Sequence, residues 1–362
     1  MDYKQTLMWK EINQIPEIFN RILKNNSKTM IDLCEAIKNG KATNFVAAAR
    51  GSSDHALVYF KYLLEINSNY TVGLSAPSVV TLYKGKINYE NSIVIGCSES
   101  GMAEDVLQVI KKANEQGAIT IGVTNDVDSP IAKESKFHLY CSAEKEEGVV
   151  ATKTFIAQLY LLLWLAMEIS DKRAYLKVMR ELPKGYNLLF KQIDELTSKY
   201  AEKFKDMTKA FVLSRGLVYP MALQTELLLQ QTCYLNAKGS AGSDFYHGPM
   251  AMVNKDTPVI IYCAKSSEDD DEELQSVLRA DQVRLIEKML LMKAPVLLVT
   301  NDCVLSGKFS KCNDALINFS VPEEHSILAF ALFAQMFSLK LACLKGYNPD
   351  NPNGIEKTTV TK

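Results

Sequence analysis

Two segments of the sequence place several short hydroxyl side chains directly after an apolar run. Ser98-Glu99-Ser100-Gly101 follows the run Ser92–Cys97, and Arg50-Gly51-Ser52-Ser53 follows Phe45–Ala49. A stretch of helical period comes after each, so N–H groups at a helix N-terminus would point to the same place as the hydroxyl groups. Such turns hold phosphate groups, although a serine in this position can also simply cap a helix.

A third segment of this kind, Gly148–Lys153, opens a strongly apolar stretch. The residues that we expect to line a phosphate site are Gly51, Ser52, Ser53, Ser98, Glu99, Ser100, Gly101, Ala103, Val149 and Ala151. Glu99 would repel a phosphate unless its side chain points away. In the second half, the corresponding serines Ser266 and Ser267 run into the acidic stretch Glu268 to Glu273. The sequence therefore predicts one anion site per chain, in the first half.

His247 is a candidate for proton transfer, because it lies in a loop that Gly248 and Pro249 constrain. An imidazole titrates near neutral pH and can act as a general acid or base. The alternative is an ordinary polar loop residue. The four histidines of the chain show no metal-ligand spacing on a helix, and we expect no bound metal.

Composition and motifs exclude several classes of partner. Lys and Arg total 41 against 42 Asp and Glu, which gives a net charge of -1. A chain without a basic field is not expected to bind nucleic acid. The eight cysteines include no Cys-x-x-Cys pair, which argues against a zinc site. Neither a G-x-G-x-x-G nor a G-x-x-x-x-G-K-[ST] fingerprint is present, so we expect no nucleotide cofactor.

The expected location is the cytoplasm, without a membrane partner. The cysteines suit a reducing compartment, and the start Met1–Lys4 lacks the basic and apolar regions of a secretory signal. The one candidate for a membrane span, Phe155–Met167, is shorter than the roughly 20 apolar residues that a span needs. We interpret it as a buried helix.

The elements that must position these residues alternate between strands and helices. The predicted strands are Phe45–Ala49, Ser92–Cys97, Ala118–Val123, Phe211–Ser214, Pro258–Cys263 and Pro295–Thr300, with a strand-like pattern also at Phe137–Cys141. This alternation is typical of a parallel sheet with helices on both faces, and the pattern recurs in the second half. We predict an α/β fold of two tandem doubly wound parallel sheets, each a flavodoxin-like, three-layer αβα subdomain.

A domain division follows from the duplication. We predict an N-terminal helical segment over residues 1–29, a first subdomain over 30–170, a helical linker over 171–200, a second subdomain over 201–345 and a C-terminal tail over 346–362. Ligands of doubly wound sheets bind beyond the carboxyl ends of the strands.

Five motifs, in order along nearly the whole chain, resemble the sugar isomerase (SIS) family. They are Ser98–Gly101, Gly148–Lys153, Arg215-Gly216 with Tyr219-Pro220, His247-Gly248-Pro249 and Lys357–Val360. The pattern is most similar to the isomerase half of glucosamine-6-phosphate synthase. Arg50–Ala56 and Ala76–Val79 resemble the related SIS-type glucosamine-6-phosphate deaminases.

The resemblance implies two SIS subdomains, a homodimer and a sugar 6-phosphate held by the hydroxyl turns. It implies that His247 opens the sugar ring, often from the neighbouring protomer, and that Lys357 reaches over the sugar from the tail as a second catalytic residue. No metal or organic cofactor is implied. We expect no glutaminase segment before Met1, and therefore no glutamine-driven synthesis.

The chain departs from the family at the base that moves a proton between sugar C1 and C2. The family has a Glu sixteen residues before the loop histidine, and that position is Gln231 here. An amide cannot accept this proton at neutral pH. Glu99 and Ala103 stand where the family has Gln and Thr. Asp244 is our candidate for a substitute base, whereas Glu226 lies about 140° around its helix from Gln231 and is expected to face elsewhere.

These features leave three functions open. The first is an isomerase/deaminase-type enzyme that opens an amino-sugar 6-phosphate, such as glucosamine 6-phosphate, and interconverts its aldose and ketose forms. The second is a deglycase of a fructosamine- or glucoselysine-type (Amadori) sugar 6-phosphate, since a changed base at Gln231 would suit a changed substrate. The third is a non-catalytic sensor that kept the phosphate turns and lost the base.

Overall fold

The computed structural model describes residues 1–267, 270–310 and 312–357. The chain forms two compact units. The first unit is Asn13–Pro183 together with the segment from Asn353 onward, and the second unit is Met1–Ile12 together with Lys184–Pro352. The domain limits at residues 29, 170, 200 and 345 stay predictions.

The first unit is built on one five-stranded sheet whose neighbouring strands all run parallel. Its strands are β1 (Asn44–Ala48), β2 (Thr71–Leu74), β3 (Ser92–Cys97), β4 (Ile119–Thr124) and β5 (Phe137–Tyr140), in the spatial order β2-β1-β3-β4-β5. Helix α1 (Leu7–Asn13) opens the chain, and the helices that follow are α2 (Ile15–Asn39), α3 (Ser52–Asn67), α4 (Pro77–Thr81), α5 (Glu104–Glu115), α6 (Pro130–Glu134) and α7 (Lys153–Ile169).

Helix α8 (Arg173–Lys203) leads into the second unit, whose five-stranded parallel sheet has the same order of strands. The strands are β6 (Lys209–Ser214), β7 (Asn236–Ala241), β8 (Val259–Cys263), β9 (Val296–Thr300) and β10 (Asn313–Leu316), arranged as β10-β9-β8-β6-β7. The helices are α9 (Pro220–Cys233), α10 (Gly242–Phe245), α11 (Glu272–Leu291), α12 (Cys303–Lys308) and α13 (Glu323–Leu344).

The alternation of side chains along each strand divides the core into two layers. In the first unit, Val94 of β3 packs with Val106 and Ile110 of α5 on one face of the sheet. On the other face, α3 packs against α7, and α7 also packs against α2. Helix α7 is apolar all round, and such a helix is stable in water only when it is enclosed. The buried helix predicted at Phe155–Met167 is confirmed.

The central strands confirm the sequence prediction, and the predicted fold of two tandem doubly wound sheets is confirmed. The predicted run Ser92–Cys97 coincides with β3, and Pro258–Cys263 differs from β8 by one residue. The edge strands β2, β7 and β10 were not predicted, because they carry polar or small residues that give no apolar run.

Within the described residues, one helix is long and apolar enough to cross a bilayer. It is α13, and not the predicted candidate Phe155–Met167. Its most apolar window is 94% buried inside the protein. A buried core helix passes the same test of length and composition as a membrane span.

Candidate functional site

The strand order of the first unit creates a crevice between β1 and β3. These strands are neighbours, and the chain leaves them toward opposite faces of the sheet, which makes this the topological switch point. Ligands of doubly wound sheets bind in the crevice beyond the carboxyl ends of the strands at such a point. Two of the predicted turns, Arg50–Ser53 and Ser98–Ala103, follow β1 and β3 and therefore lie there.

The turn after β1 depends on Gly51, whose φ of 57° and ψ of -134° strain any other residue. The carbonyl oxygen of Gly51 accepts hydrogen bonds from the N–H groups of Asp54 and His55 at 3.0 and 3.2 Å. Ser52 is partly exposed at the first position of α3. Ser53 is buried, and its hydroxyl accepts a hydrogen bond from Gln158 Nε2 at 3.0 Å. Of the two serines in this turn, Ser52 is therefore the more exposed.

The turn after β3 is tighter and is built around Gly101, whose φ is 66°. A Cβ at this position would lie 2.1 Å from Ser129 Oγ, so the site admits glycine alone. Ser98 Oγ accepts a hydrogen bond from the N–H of Gly101 at 3.2 Å, and Ser100 Oγ accepts one from Met102 at 3.3 Å. These bonds use hydroxyl oxygens as acceptors and leave the O–H hydrogens for a further partner.

Ala103 and the ion pair between Arg50 and Asp105 complete the turn after β3. Ala103 is partly exposed and lies directly before α5, without a side-chain cap. Arg50 Nε donates to Asp105 Oδ2 at 2.7 Å, and Asp105 is 1% exposed in the first turn of α5. This ion pair joins the turn after β1 to the helix after β3. It therefore fixes the spacing of the two turns and also neutralises Arg50.

Asp54 lies in the first turn of α3, beside the same crevice. Burial raises the pKa of its carboxyl group, and the nearby charges of His55 and Arg50 partly offset this effect. The raised pKa indicates that the protonated form of Asp54 persists to a higher pH than in an exposed carboxyl.

The third predicted turn holds a carboxylate of the protein itself. The side chain of Glu146 is fully buried, and it accepts hydrogen bonds from Thr152 N and Thr152 Oγ1 at 2.9 and 2.8 Å. Thr154 adds a bond from its hydroxyl at 2.5 Å. Glu146 therefore caps the N-terminus of α7, where the helix dipole favours an anion. Val149 and Ala151 are partly exposed in this turn.

The tail carries Lys357 to these turns. Its ammonium donates to the carbonyl oxygen of Gly148 at 2.7 Å and to Glu146 Oε2 at 3.4 Å, and it lies 4.0 Å from Glu99 Oε2. The predicted partners from the tail and from the turn after β3 thus come together within the first unit. Thr358–Val360, which belong to the same motif, lie outside the described residues.

The remaining catalytic candidates belong to the second unit. His247 is exposed and follows α10. Its backbone N–H donates to the carbonyl oxygen of Asp244 at 3.0 Å. Gly248, with a φ of 150°, and Pro249 follow it. Asp244 is also exposed, and Gln231 is half-buried on α9. The loop therefore presents an imidazole and a carboxylate to solvent.

Glu226 faces the strand β7, as expected. Its carboxylate accepts a hydrogen bond from Gly239 N at 2.7 Å and lies 3.6 Å from the ammonium of Lys238. The carboxylate is thus engaged in holding β7 against α9.

The switch point of the second unit has different chemistry. Arg215 follows β6 and pairs with Asp281 at 2.6 Å. Ser267, which follows β8, is buried, and its hydroxyl donates to Glu324 Oε2 at 3.1 Å and accepts from Glu323 N at 3.0 Å. Burial, together with the charges of Glu324 and Asp270, raises the pKa of Glu323 to about 8. In the second unit, the hydroxyl group of Ser267 is thus engaged by acidic residues of the protein itself.

The described residues form no group of three His, Cys, Asp or Glu side chains able to hold a metal ion. All eight cysteines are free. Burial raises the pKa of the thiols of Cys97, the last residue of β3, and Cys141, which directly follows β5. These thiols are therefore poor nucleophiles at neutral pH.

Comparison with known proteins agrees with this geometry. The family model of the SIS domain matches residues 41–168, which span β1 to α7. A SIS domain occupies the first unit. The resemblance stated from the sequence motifs is confirmed.

Relatives match over almost the whole chain. The glutamine–fructose-6-phosphate aminotransferase (isomerizing) of Sulfurisphaera tokodaii is 31% identical over 360 residues, 98% of this chain. The chain spans 56% of the length of that relative.

Solved structures show the same fold. The C-terminal domain of glucosamine-fructose-6-phosphate aminotransferase from Francisella tularensis has a TM-score of 0.80 at 22% identity, covering 96% of this chain and 98% of the other. Glucosamine-6-phosphate deaminase from Thermotoga maritima has a TM-score of 0.73 at 21% identity, covering 98% of this chain and 100% of the other. The two tandem parallel sheets are therefore a known arrangement.

Two features of the site were missed by sequence reasoning. The ion pair between Arg50 and Asp105 joins residues far apart in sequence, and no local pattern reveals it. Glu146 had a readable signal, since a glutamate shortly before Thr152-Lys153-Thr154 at a helix start is a candidate cap.

Proposed function

We propose that the chain is an enzyme of the phosphosugar isomerase/deaminase type that acts on an amino-sugar 6-phosphate, such as glucosamine 6-phosphate. The observation that carries the proposal is the switch-point crevice of the first unit. There, the turns after β1 and β3 carry the hydroxyl groups of Ser52, Ser98 and Ser100, and the tail brings the ammonium of Lys357 to the turn after β3. This donor set suits a phosphate monoester.

The proposed reaction has two proton transfers. In the first, the imidazole of His247 moves a proton between the ring oxygen and O1 of the sugar, which opens the ring. In the second, a carboxylate moves a proton from C2 to C1, which converts the open aldose into a ketose form whose C2 carries an imine. Water then hydrolyses the C2 imine, so that ammonia leaves and hexose phosphate remains. Gln231 cannot accept the proton from C2, so we assign that transfer to Asp244, which lies in the short helix α10, three residues before His247. Lys357 is proposed to contact the sugar from the tail.

Two assignments accompany this proposal. We propose that the protein is a homodimer in which His247 of the partner subunit reaches the crevice, and that its other partner is the small-molecule sugar phosphate. We also propose a cytoplasmic location, which the eight free cysteines support.

Gln231 favours a second candidate function. A deglycase that acts on an Amadori-type sugar 6-phosphate would release an amino acid instead of ammonia and would meet a different nitrogen substituent. A sensor that binds the sugar phosphate without turnover is the corresponding non-catalytic outcome. Both keep the phosphate turns and differ in the product formed.

One incubation separates these functions. The full-length protein is mixed with glucosamine 6-phosphate or fructoselysine 6-phosphate, and ammonia, lysine and hexose phosphate are measured. The proposal predicts hexose phosphate from glucosamine 6-phosphate, with turnover abolished in His247→Ala. Lysine released from the second substrate alone would favour the deglycase, and binding without product would favour the sensor.

A variant pair tests the assigned base. Asp244→Asn removes the carboxylate and keeps the shape of the side chain, and we expect it to lower turnover at least about 100-fold. If Asp244→Asn turns over normally while His247→Ala is inactive, Asp244 is not the base.

A further inference from the structure

The ammonium of Lys357 is shared between two carboxylates of unequal character. Glu146 is fully buried and already accepts hydrogen bonds from Thr152 and Thr154. Glu99 is 25% exposed and lies in the phosphate turn itself, between Ser98 and Ser100. Its Oε2 atom is 4.0 Å from Lys357 Nζ. Glu99 is therefore the carboxylate that an anion entering this turn would meet.

The charges around the turn oppose a second anion. A phosphate monoester carries a charge of about -1.5 to -2 at pH 7. Lys357 faces Glu99 and Glu146 together, and Arg50 is already paired with the buried Asp105. A phosphate in the turn therefore needs the positive charge of Lys357, which Glu99 attracts in the protein without a ligand.

We propose that Glu99 is a specificity-determining residue that competes with the ligand phosphate for Lys357. When a dianionic ester enters the turn, Lys357 moves its charge from Glu99 to the phosphate, and the lost ion pair lowers the affinity for dianions. Neutral sugars do not take Lys357 from Glu99 and escape this cost. The inference rests on the proposed function, because it requires a phosphate ester in this turn.

Competition between Glu99 and the phosphate for Lys357 can be distinguished from direct repulsion between Glu99 and the phosphate. Glu99→Gln removes the competitor and keeps the shape of the side chain, so we expect it to bind glucosamine 6-phosphate about fivefold more tightly than the wild type. Lys357→Met removes the ammonium and weakens binding. In the Lys357→Met background no ion pair remains to be broken, and Glu99→Gln should then tighten binding less than twofold. Repulsion alone would leave the fivefold gain intact or enlarge it.

Glu104→Gln is the matched control. It removes the same charge from the first residue of α5, the helix that follows the turn of Glu99, but the carboxylate of Glu104 is exposed and accepts a hydrogen bond from Gln108 Nε2 at 2.7 Å. We expect its affinity for glucosamine 6-phosphate to stay within twofold of the wild type. Glucose, a neutral sugar that lacks both the phosphate and the amine, should bind the wild type and Glu99→Gln equally.

Isothermal titration calorimetry on the full-length wild type, the three single variants and the Glu99→Gln/Lys357→Met double variant measures these affinities. If the wild type binds glucosamine 6-phosphate and Glu99→Gln binds it equally or more weakly, this inference is overturned and the proposed function stands. A gain that persists undiminished in the Lys357→Met background would also overturn it. Absence of binding by every form of the protein would overturn the proposed function, and this inference with it.

Discussion

The switch points of the two units share one backbone plan and differ in what their serines bind. In the first unit, Ser98 and Ser100 accept hydrogen bonds from their own turn and keep their O–H hydrogens for a further partner. In the second unit, the hydroxyl of Ser267 donates to Glu324. The duplicated fold therefore supplies two crevices, and the side chains favour anion binding in one of them.

The same difference appears at the long buried helices. Glu146, from the turn before α7, binds the N-terminus of that helix and holds Lys357. In α13 the acids Glu323 and Glu324 belong to the helix itself, and they face Ser267. A carboxylate from the preceding turn thus binds the helix N-terminus in the first unit, whereas the carboxylates of the second unit belong to the helix and contact the serine.

The largest effect is expected from the removal of the cap on α7. Glu146→Ala leaves donors of Thr152 and Thr154 buried without an acceptor, which costs about 3 kcal/mol of unfolding free energy. We expect Glu324→Ala in the second unit to cost about half as much, because Glu324 is not placed to cap a helix in this way. Urea denaturation of both variants measures the two values. Equal losses would show that the two acids play the same part.

The second effect concerns the two glycines with a φ of 66°, Gly101 and Gly216. A Cβ at Gly101 collides with Ser129, whereas a Cβ at Gly216 meets nothing within 4 Å. Both Ala variants bear the backbone strain of about 1 kcal/mol. Calorimetry should show that Gly101→Ala lowers the affinity for glucosamine 6-phosphate at least about 30-fold. Gly216→Ala, the matched control, should bind normally, and a comparable loss there would contradict a site confined to the first unit.

The third effect is a pH dependence in the second unit. The folded protein raises the pKa of Glu323 from 4.5 to about 8, so ionisation disfavours the folded state. The loss of unfolding free energy caused by ionisation of Glu323 should therefore be negligible below pH 4.5. It should grow as the pH rises from 4.5 to 8 and stay constant above pH 8. Glu323→Gln should therefore be more stable than the wild type at pH 9, and this difference should shrink to less than about 1 kcal/mol at pH 5. A stability difference that is the same at both pH values would contradict the raised pKa.

The smallest effect separates binding from stability. Ser100→Ala should weaken binding of glucosamine 6-phosphate about fivefold, the worth of one hydrogen bond. It should lower the unfolding free energy by less than about 0.5 kcal/mol, because Met102, whose N–H loses its acceptor, is exposed to water. Ser267→Ala should lower the unfolding free energy by about 1 kcal/mol and leave binding unchanged. Calorimetry and urea denaturation of both variants test this exchange. A binding loss in Ser267→Ala would place ligand in the second unit.

The core of the fold was predictable because central parallel strands are apolar throughout. The residues of β3 and β8 are all buried, and such runs are visible in a single sequence. The edge strand β7, Asn236–Ala241, is half polar and contains Gly239, so it gives no such signal. Its position becomes apparent only when the sheet order is known.

The turns of the site were predictable for a related reason. Gly101 and the serines beside it follow a predicted strand, and this local order marks a strand-to-helix turn. The partners that long-range folding brings to the turns were not predictable from spacing. The pairing of Arg50 with Asp105 and the approach of Lys357 to Glu146 depend on the arrangement of whole elements.

The central claim is that the turn after β3 binds the phosphate of a sugar ester. The direct test is a crystal structure of the protein soaked with glucosamine 6-phosphate. We predict density for the phosphate within hydrogen-bond distance of Ser98 and Ser100, with Lys357 turned toward it. An empty turn at saturating ligand, or density at Ser266 and Ser267 of the second unit instead, would contradict the account.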